Sequence, residues 1–235
     1  MSAVTSTQVF TSISAVGGLL PADMLTRIAD GKDVSASKPA EYHVVGVRSV
    51  KDAAERHWDY LKGAWRALRD AGVGDPVSGG SDPRGLAIEN WLLPLFEEHG
   101  YGRLTNRPAG ITSDDGTKVF PITRHWDHLP IHLVPWDQDL DKRLPGIAGA
   151  AGLPPQSMVQ ECLNRTQAHL WAVVSNGRML RFLRDSTALT GSAYVEVDLE
   201  AMFDGELVDD FIVLYRLLHV SRFEVAEGAP VSSCR

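Results

Sequence analysis

The stretch L-W-A-V-V-S-N-G-R-M-L-R-F-L-R-D, Leu170 to Asp185, decides the fold class. Leu170, Trp171, Val173 and Val174 are an apolar run rich in aromatic and β-branched residues, the composition of a buried strand. Asn176-Gly177 tolerates the positive φ angles of a type I′ turn and is the strongest short hairpin signal in the chain. Met179, Leu180, Phe182 and Leu183 return as a second strand, interrupted by Arg178, Arg181 and Arg184. These arginines have two readings. One is a sheet face paired with acids or left in solvent. The other is a DNA-binding strand, because a planar guanidinium fork suits phosphate oxygens.

Working outward, Pro154 to Gln167 reads as the helix before this hairpin, and Tyr194, Val195, Val197 and Leu199 as a strand after it. Asp204-Gly205 turns the chain, and Leu207, Phe211, Leu214 and Leu218 line a final helix ending near His219. Upstream, residues 119–123 and 131–134 are strand-like, Asp115-Gly116 is a hairpin turn, and a strand begins at Tyr101 to Leu104. Residues 86–99 have helical spacing through Ile88, Trp91, Leu92 and Leu95, with a kink or break expected at Pro94.

Nearer the N-terminus, residues 1–16 read as an extended arm and 20–31 as a short helix with Leu25 and Ile28 on one face. A loop follows over 32–41, and Val44 to Val47 suits a short strand. Ser49 and Asp52 form a helix-start box. Ala54, Trp58, Leu61, Trp65 and Leu68 then recur at helical spacing to Gly72. Trp58 and Trp65 share a stripe with leucines, which favours core packing over base stacking. The organisation read from this pattern is an arm and N-terminal helical subdomain over 1–71, a flexible Gly/Pro linker over 72–85, an α/β domain over 86–223 and a tail over 224–235. The fold class is α/β of the α+β kind, a mixed β-sheet flanked by helices.

With 235 residues, 44% of them hydrophobic, the chain can bury a substantial core. Its net charge of −7 argues against nucleic-acid binding by overall charge, though not against a local basic stripe. Cys162 and Cys234 suggest neither a disulfide framework nor a zinc site. Neither a signal peptide nor a membrane span is read from the sequence, and the expected location is cytoplasmic.

Several phrases carry a family resemblance: G-G-L-L-P-A-D at 17–23, W-L-L-P-L-F-E-E-H-G-Y-G-R-L at 91–104 and P-I-H-L-V-P-W-D-Q-D-L-D-K-R at 130–143. M-V-Q-E-C-L-N-R-T at 158–166, Y-V-E-V-D-L-E-A-M-F-D-G-E at 194–206 and L-L-H-V-S-R-F at 217–223 extend it over most of the chain. The text resembles the N-terminal region of large fused restriction–modification adenine-specific DNA methylases of the type IIG kind. Related methylases occur in DISARM and BREX phage-defence systems. The helix followed by a hairpin resembles the last part of a PD-(D/E)xK nuclease-like domain, so the resemblance implies a restriction-endonuclease-like fold.

In such nucleases an Asp and an Asp/Glu-x-Lys on adjacent strands position magnesium near the scissile phosphate. The strand expected to carry Glu-x-Lys reads Ile131 to Trp136 and contains no such triplet. Asp139-Leu140-Asp141-Lys142 has the right residue types in the wrong order. The resemblance offers Glu89 on the first core helix, Asp137 or Asp139, and Lys142 as the residues an active nuclease would use, and Gln160 as a leftover of that arrangement; Glu89 and Gln160 each have a plain solvent-facing alternative. His125, Asp127, His128, His132 and Asp137 crowd together without the spacing of a zincin, and no metal site is assigned. A phosphate-binding Gly-Lys-Ser/Thr loop is absent, as are the glycine-rich S-adenosylmethionine turn and the Asn-Pro-Pro-Tyr motif of an adenine methylase.

The expectation is a non-catalytic DNA-engaging or docking domain of a restriction–modification or phage-defence methyltransferase. S-adenosylmethionine would belong to the parent protein, and whether these residues are a fragment, a split subunit or a stand-alone relative stays open. The expected partners are DNA, weakly or through the parent, and the methylase domain or other defence subunits. Two alternatives stand beside it: an active magnesium-dependent endonuclease, and a purely structural protein-docking module.

Overall fold

A computed structural model describes residues 10–21, 23–31, 37–185 and 193–225. Of the expectations above, the arm at 1–9, the loop at 32–36 and the tail from 226 with Cys234 lie outside the described residues. Seven strands form one mixed sheet. In spatial order they are β1 (Ile13–Val16), β9 (Tyr194–Asp198), β8 (Met179–Arg184), β7 (Trp171–Ser175), β6 (Leu129–Leu133), β5 (Arg124–Trp126) and β2 (Thr105–Asn106). Strands β3 (Ile111–Thr112) and β4 (Val119–Phe120) form a separate small hairpin. Among the described residues only β6 and β7 run parallel, and α4 (Pro155–Asn164) supplies the crossover between them that parallel pairing demands.

Strand alternation divides the core. Leu129, Ile131, Val173, Leu180, Phe182, Val195 and Val197 fill the face beneath the other helices. Those helices are α1 (Met24–Asp30), α2 (Val50–Asp70), α3 (residues 88–101), α5 (Leu199–Asp204) and α6 (Val208–Leu218). Ala172, Val174 and Leu183 point the other way, against Met158, Val159, Cys162 and Leu163 of α4. Each Val, Leu, Ile, Met or Phe among them contributes about 1.5–3 kcal/mol when fully buried. The architecture is α+β, a mixed sheet flanked by helices, as the period-two and helical patterns imply.

The N-terminal helices do not form a core of their own. One cluster runs from Ile13 through Trp58 and Trp65 to Phe223, and β1 pairs with β9. An edge strand needs little apolar content: Ile13 faces inward opposite Val197, and Ser12 donates from N–H and Oγ to Asp210 at 2.8 and 2.7 Å. Residues 44–47 form no strand, whereas 199–204 are helical because the Asp198 carboxylate caps the Ala201 N–H at 2.8 Å. The helix does not break at Pro94, since Leu92 and Leu93 keep helical φ/ψ, and the non-helical residue of this stretch is Gly100 at φ 89°. Helix α3 comprises Ile88–Leu92, Leu93–Phe96 and Glu97–Tyr101, with wider π turns on either side of the α turn. The Leu93 N–H reaches the Ile88 carbonyl, and this wider turn accommodates the proline ring.

Five aromatic rings lock the central hairpin to the helices. Trp91 meets Trp65 and Phe203 edge to face at 5.0 and 4.7 Å, Trp136 lies 5.9 Å from Trp65, and Trp58 lies 4.7 Å from Phe203. The Trp91 indole donates to the Gly177 carbonyl at 2.9 Å. The turn differs from type I′, because only Gly177 has positive φ, at 90°. The Asn176 side-chain carbonyl instead accepts from the N–H groups of Arg178 and Met179 at 3.0 and 2.9 Å.

Further along the same core, His57, His99 and His219 surround Tyr215, with ring centroids 5.2, 5.3 and 5.2 Å away. Burial lowers His99 and His219 to about 3, and His132 on β6 to about 4. The unfolded chain therefore takes up protons near pH 6.5 that the folded chain refuses until pH 3–4, so stability is lost as pH falls across this interval. Each histidine contributes a slope of about 1.4 kcal/mol per pH unit. Urea unfolding at pH 7.5, 6.5, 5.5 and 4.5, on the scale of ordinary titrations, should show this loss, and His99→Phe should make the dependence shallower. A stability flat below neutrality contradicts the burial of these rings as neutral groups.

Candidate functional site

The carboxyl ends of parallel strands are where open α/β sheets present their ligand crevices. Here β6 and β7 end at Leu133 and Ser175, and the loop leaving β6 carries Asp137, Asp139, Asp141 and Lys142. These side chains line a polar cleft of about 420 Å³ together with Asn176, Arg178, Arg181 and Glu196. A second cleft of similar size, about 420 Å³, shares Trp136 and Arg178 with it. Its opposite wall is the glycine-rich segment at 72–85, with Gly74 packed against the Trp136 ring. That segment is thus part of the site's wall. The Arg178 guanidinium lies 5.8 Å from the Trp136 ring centre, between the two clefts.

Arg181 dominates the first cleft. It is 6% exposed, and its guanidinium is claimed by three elements. Asp141 accepts two parallel bonds from Nη1 and Nη2 at 2.7 and 2.8 Å, Glu196 accepts from Nε at 2.5 Å, and Gln156 of α4 accepts from Nη1. Burial alone would lower its pKa, but the bonds to Asp141 and Glu196 overcome that and raise it. Such a group carries its charge at every working pH, and four of its five N–H donors meet these acceptors. The Tyr194 ring covers one side, 4.7 Å from the guanidinium carbon.

The nuclease candidates are only partly brought together. Asp137, Asp139 and Lys142 share the cleft. Asp139 receives Lys142 at 2.8 Å and the Asp141 N–H at 2.9 Å, which hold its carboxyl below the usual range. Asp137 accepts from the Asp82 N–H at 3.5 Å. Glu89 lies outside the cleft, 65% exposed, and meets Arg124 at 3.4 Å. Gln160 also lies elsewhere. It donates to the Arg184 carbonyl at 2.9 Å and so fastens α4 to β8. Among the described residues no group of three or more His, Cys, Asp or Glu side chains is placed to hold a metal ion. Of the cleft carboxylates, Asp139 is engaged by Lys142 and Asp141 by Arg181.

The arginine strand requires a correction. Residues three apart on a period-two strand alternate faces, so Arg181 falls on the α4 side with Leu183, away from the side of Leu180 and Phe182. Arg178 gives its Nε–H to Glu200 at 2.9 Å, and Arg69 reaches the same carboxylate at 3.2 Å. Arg184 lies over Trp171 at 5.4 Å. The three do not make a common stripe. Acids cover Arg178 and Arg181. The histidine crowd also disperses: His132 is buried, while His128 contacts neighbouring Asp127 at 3.0 Å.

The partners Asp141, Gln156 and Glu196 went unread as site residues in the sequence. One signal for Glu196 existed, since an acid alternates with valines in Y-V-E-V-D and stands directly across from Arg181.

No protein-family model matches the chain, and no curated protein or solved structure is significantly similar to it. The roles of the two inner arginines are separable by stability. Arg181→Ala should cost about 3 kcal/mol, the low end for a broken buried ion pair, because Asp141 is 59% exposed and rehydrates. Arg178→Ala, whose side chain is 47% exposed, should cost less than about 1 kcal/mol. Denaturant midpoints at constant slope check both, and equal costs contradict this division.

Proposed function

We propose that this chain is a non-catalytic docking module of a restriction–modification or phage-defence adenine methyltransferase, built on a nuclease-like scaffold. The observation that carries the reading is the condition of the polar cleft. It lies where a nuclease-like sheet holds its chemistry, yet Asp139 is paired with Lys142, Asp141 with Arg181, and Glu200 with Arg178. The sequence of elements implied by the resemblance supports the scaffold: a helix bearing Glu89, then strands, then the helix bearing Gln160, then a hairpin. Residues that elsewhere serve a reaction serve here to hold one end of the sheet together.

Of the expected roles, docking is favoured over direct DNA engagement. The net charge of −7 repels a polyanion, and the inner arginines are neutralised by acids within hydrogen-bond reach. DNA contact by the assembled system then belongs to the parent protein, as does S-adenosylmethionine.

The purified chain should leave plasmid DNA intact with magnesium or manganese and should not retard duplex DNA at physiological salt. It should bind the methylase encoded with it in a titration followed by calorimetry. Cleavage lost in Asp139→Ala overturns the reading in favour of an endonuclease, and tight binding to DNA without methylase binding overturns it in favour of a DNA module.

A further inference from the structure

A cavity of about 230 Å³ lies beneath α1 and shares no lining residue with the polar clefts. Its floor is the sheet, where Trp171, Phe182 and Val195 come from the adjacent strands β7, β8 and β9. Met24 and Ile28 of α1 and Leu217 of α6 wall it. An engineered cavity of about 150 Å³ takes up benzene, so this space accommodates a ring with a short chain or a medium-length acyl chain. An apolar pocket with few convergent polar groups is the usual form of a small-molecule site.

The polar groups here have one sign. Arg216 and Arg222 line the cavity, and no Asp or Glu is among its described lining residues. The Arg216 Nε is buried without a hydrogen-bond partner among the described residues, and a buried donor without an acceptor is costly. Arg216 is held in place by its surroundings. Its two terminal nitrogens lie 2.8 Å from where a Cβ on Gly31 would stand, so only glycine at the end of α1 leaves them room. The Tyr42 hydroxyl stands beside it, its pKa raised by burial and drawn back by Arg222 and Arg216.

We propose that this cavity binds a small amphipathic carboxylate, an acyl or arylalkyl acid whose chain lies on Trp171, Phe182 and Val195 and whose carboxylate pairs with Arg216. An anion answers the two guanidinium groups of Arg216 and Arg222 that line the cavity, while the apolar walls set the length of the chain. The site is independent of the docking role proposed above.

The test is calorimetric titration of the full chain with octanoate and with octanol, which differ only in the head group. One octanoate should bind per chain, about 10-fold to 100-fold more tightly than octanol, the range for a hydrogen bond to a charged group. Arg216→Met should reduce octanoate to the level of octanol, and Met24→Trp, which fills the cavity, should abolish both. Absent octanoate binding, equal affinity for the two probes, or binding intact in a folded Met24→Trp overturns the proposal. Should either variant unfold, the octanoate-to-octanol ratio on the unaltered chain decides.

Discussion

A guanidinium removed from water must find an acceptor for each donor, and around Arg181 that requirement organises one end of the molecule. Its acceptors come from the loop after β6, from α4 and from β9. Parallel pairing of β6 and β7 brings the first two to the carboxyl end of the sheet, and antiparallel pairing of β8 with β9 brings the third. Losing any one of these elements would leave buried N–H donors of Arg181 without an acceptor, and losing both Asp141 and Glu196 would leave its charge uncompensated. The ion pairs act chiefly as a constraint on register and loop position.

The aromatic cluster acts from the opposite face. Trp91 fixes the Gly177 carbonyl, Trp136 lies under both Gly177 and Gly74, and Trp65 links these rings to α2. The hairpin turn is therefore held from below by packing and from above by ion pairs. A turn clamped on both sides and flanked by engaged carboxylates presents a fixed surface.

Local patterns were legible in the sequence and distant pairings were not. The hairpin at 170–185, the stripe of Ala54, Trp58, Leu61, Trp65 and Leu68, and the apolar face of α6 follow from periodicity, because each is written within one element. The same logic misled where tertiary contacts override local signal. Ser12 to Val16 carry little apolar content, yet an edge strand forms because Val197 and Asp210 await it. Residues 72–85 look like a free linker until Trp136 is placed against Gly74. The arginines of β8 resemble a phosphate-facing stripe because their acids lie 40 residues before and 15 residues after Arg181. The cavity under α1 was illegible for a similar reason, since its lining comes from α1, α6 and three strands that meet only in the fold.

The central claim is that Arg181 belongs to the scaffold and does not serve as a ligand for phosphate. A double-mutant cycle in urea with Arg181→Ala and Glu196→Ala tests it most directly, since the two side chains stand opposite each other in register. The account predicts an interaction energy of about 1–3 kcal/mol, the range for groups in one hydrogen-bonded network. Additive costs within about 0.5 kcal/mol, with Arg181→Ala itself nearly neutral, would contradict it and return this arginine to the pool of residues available for a partner.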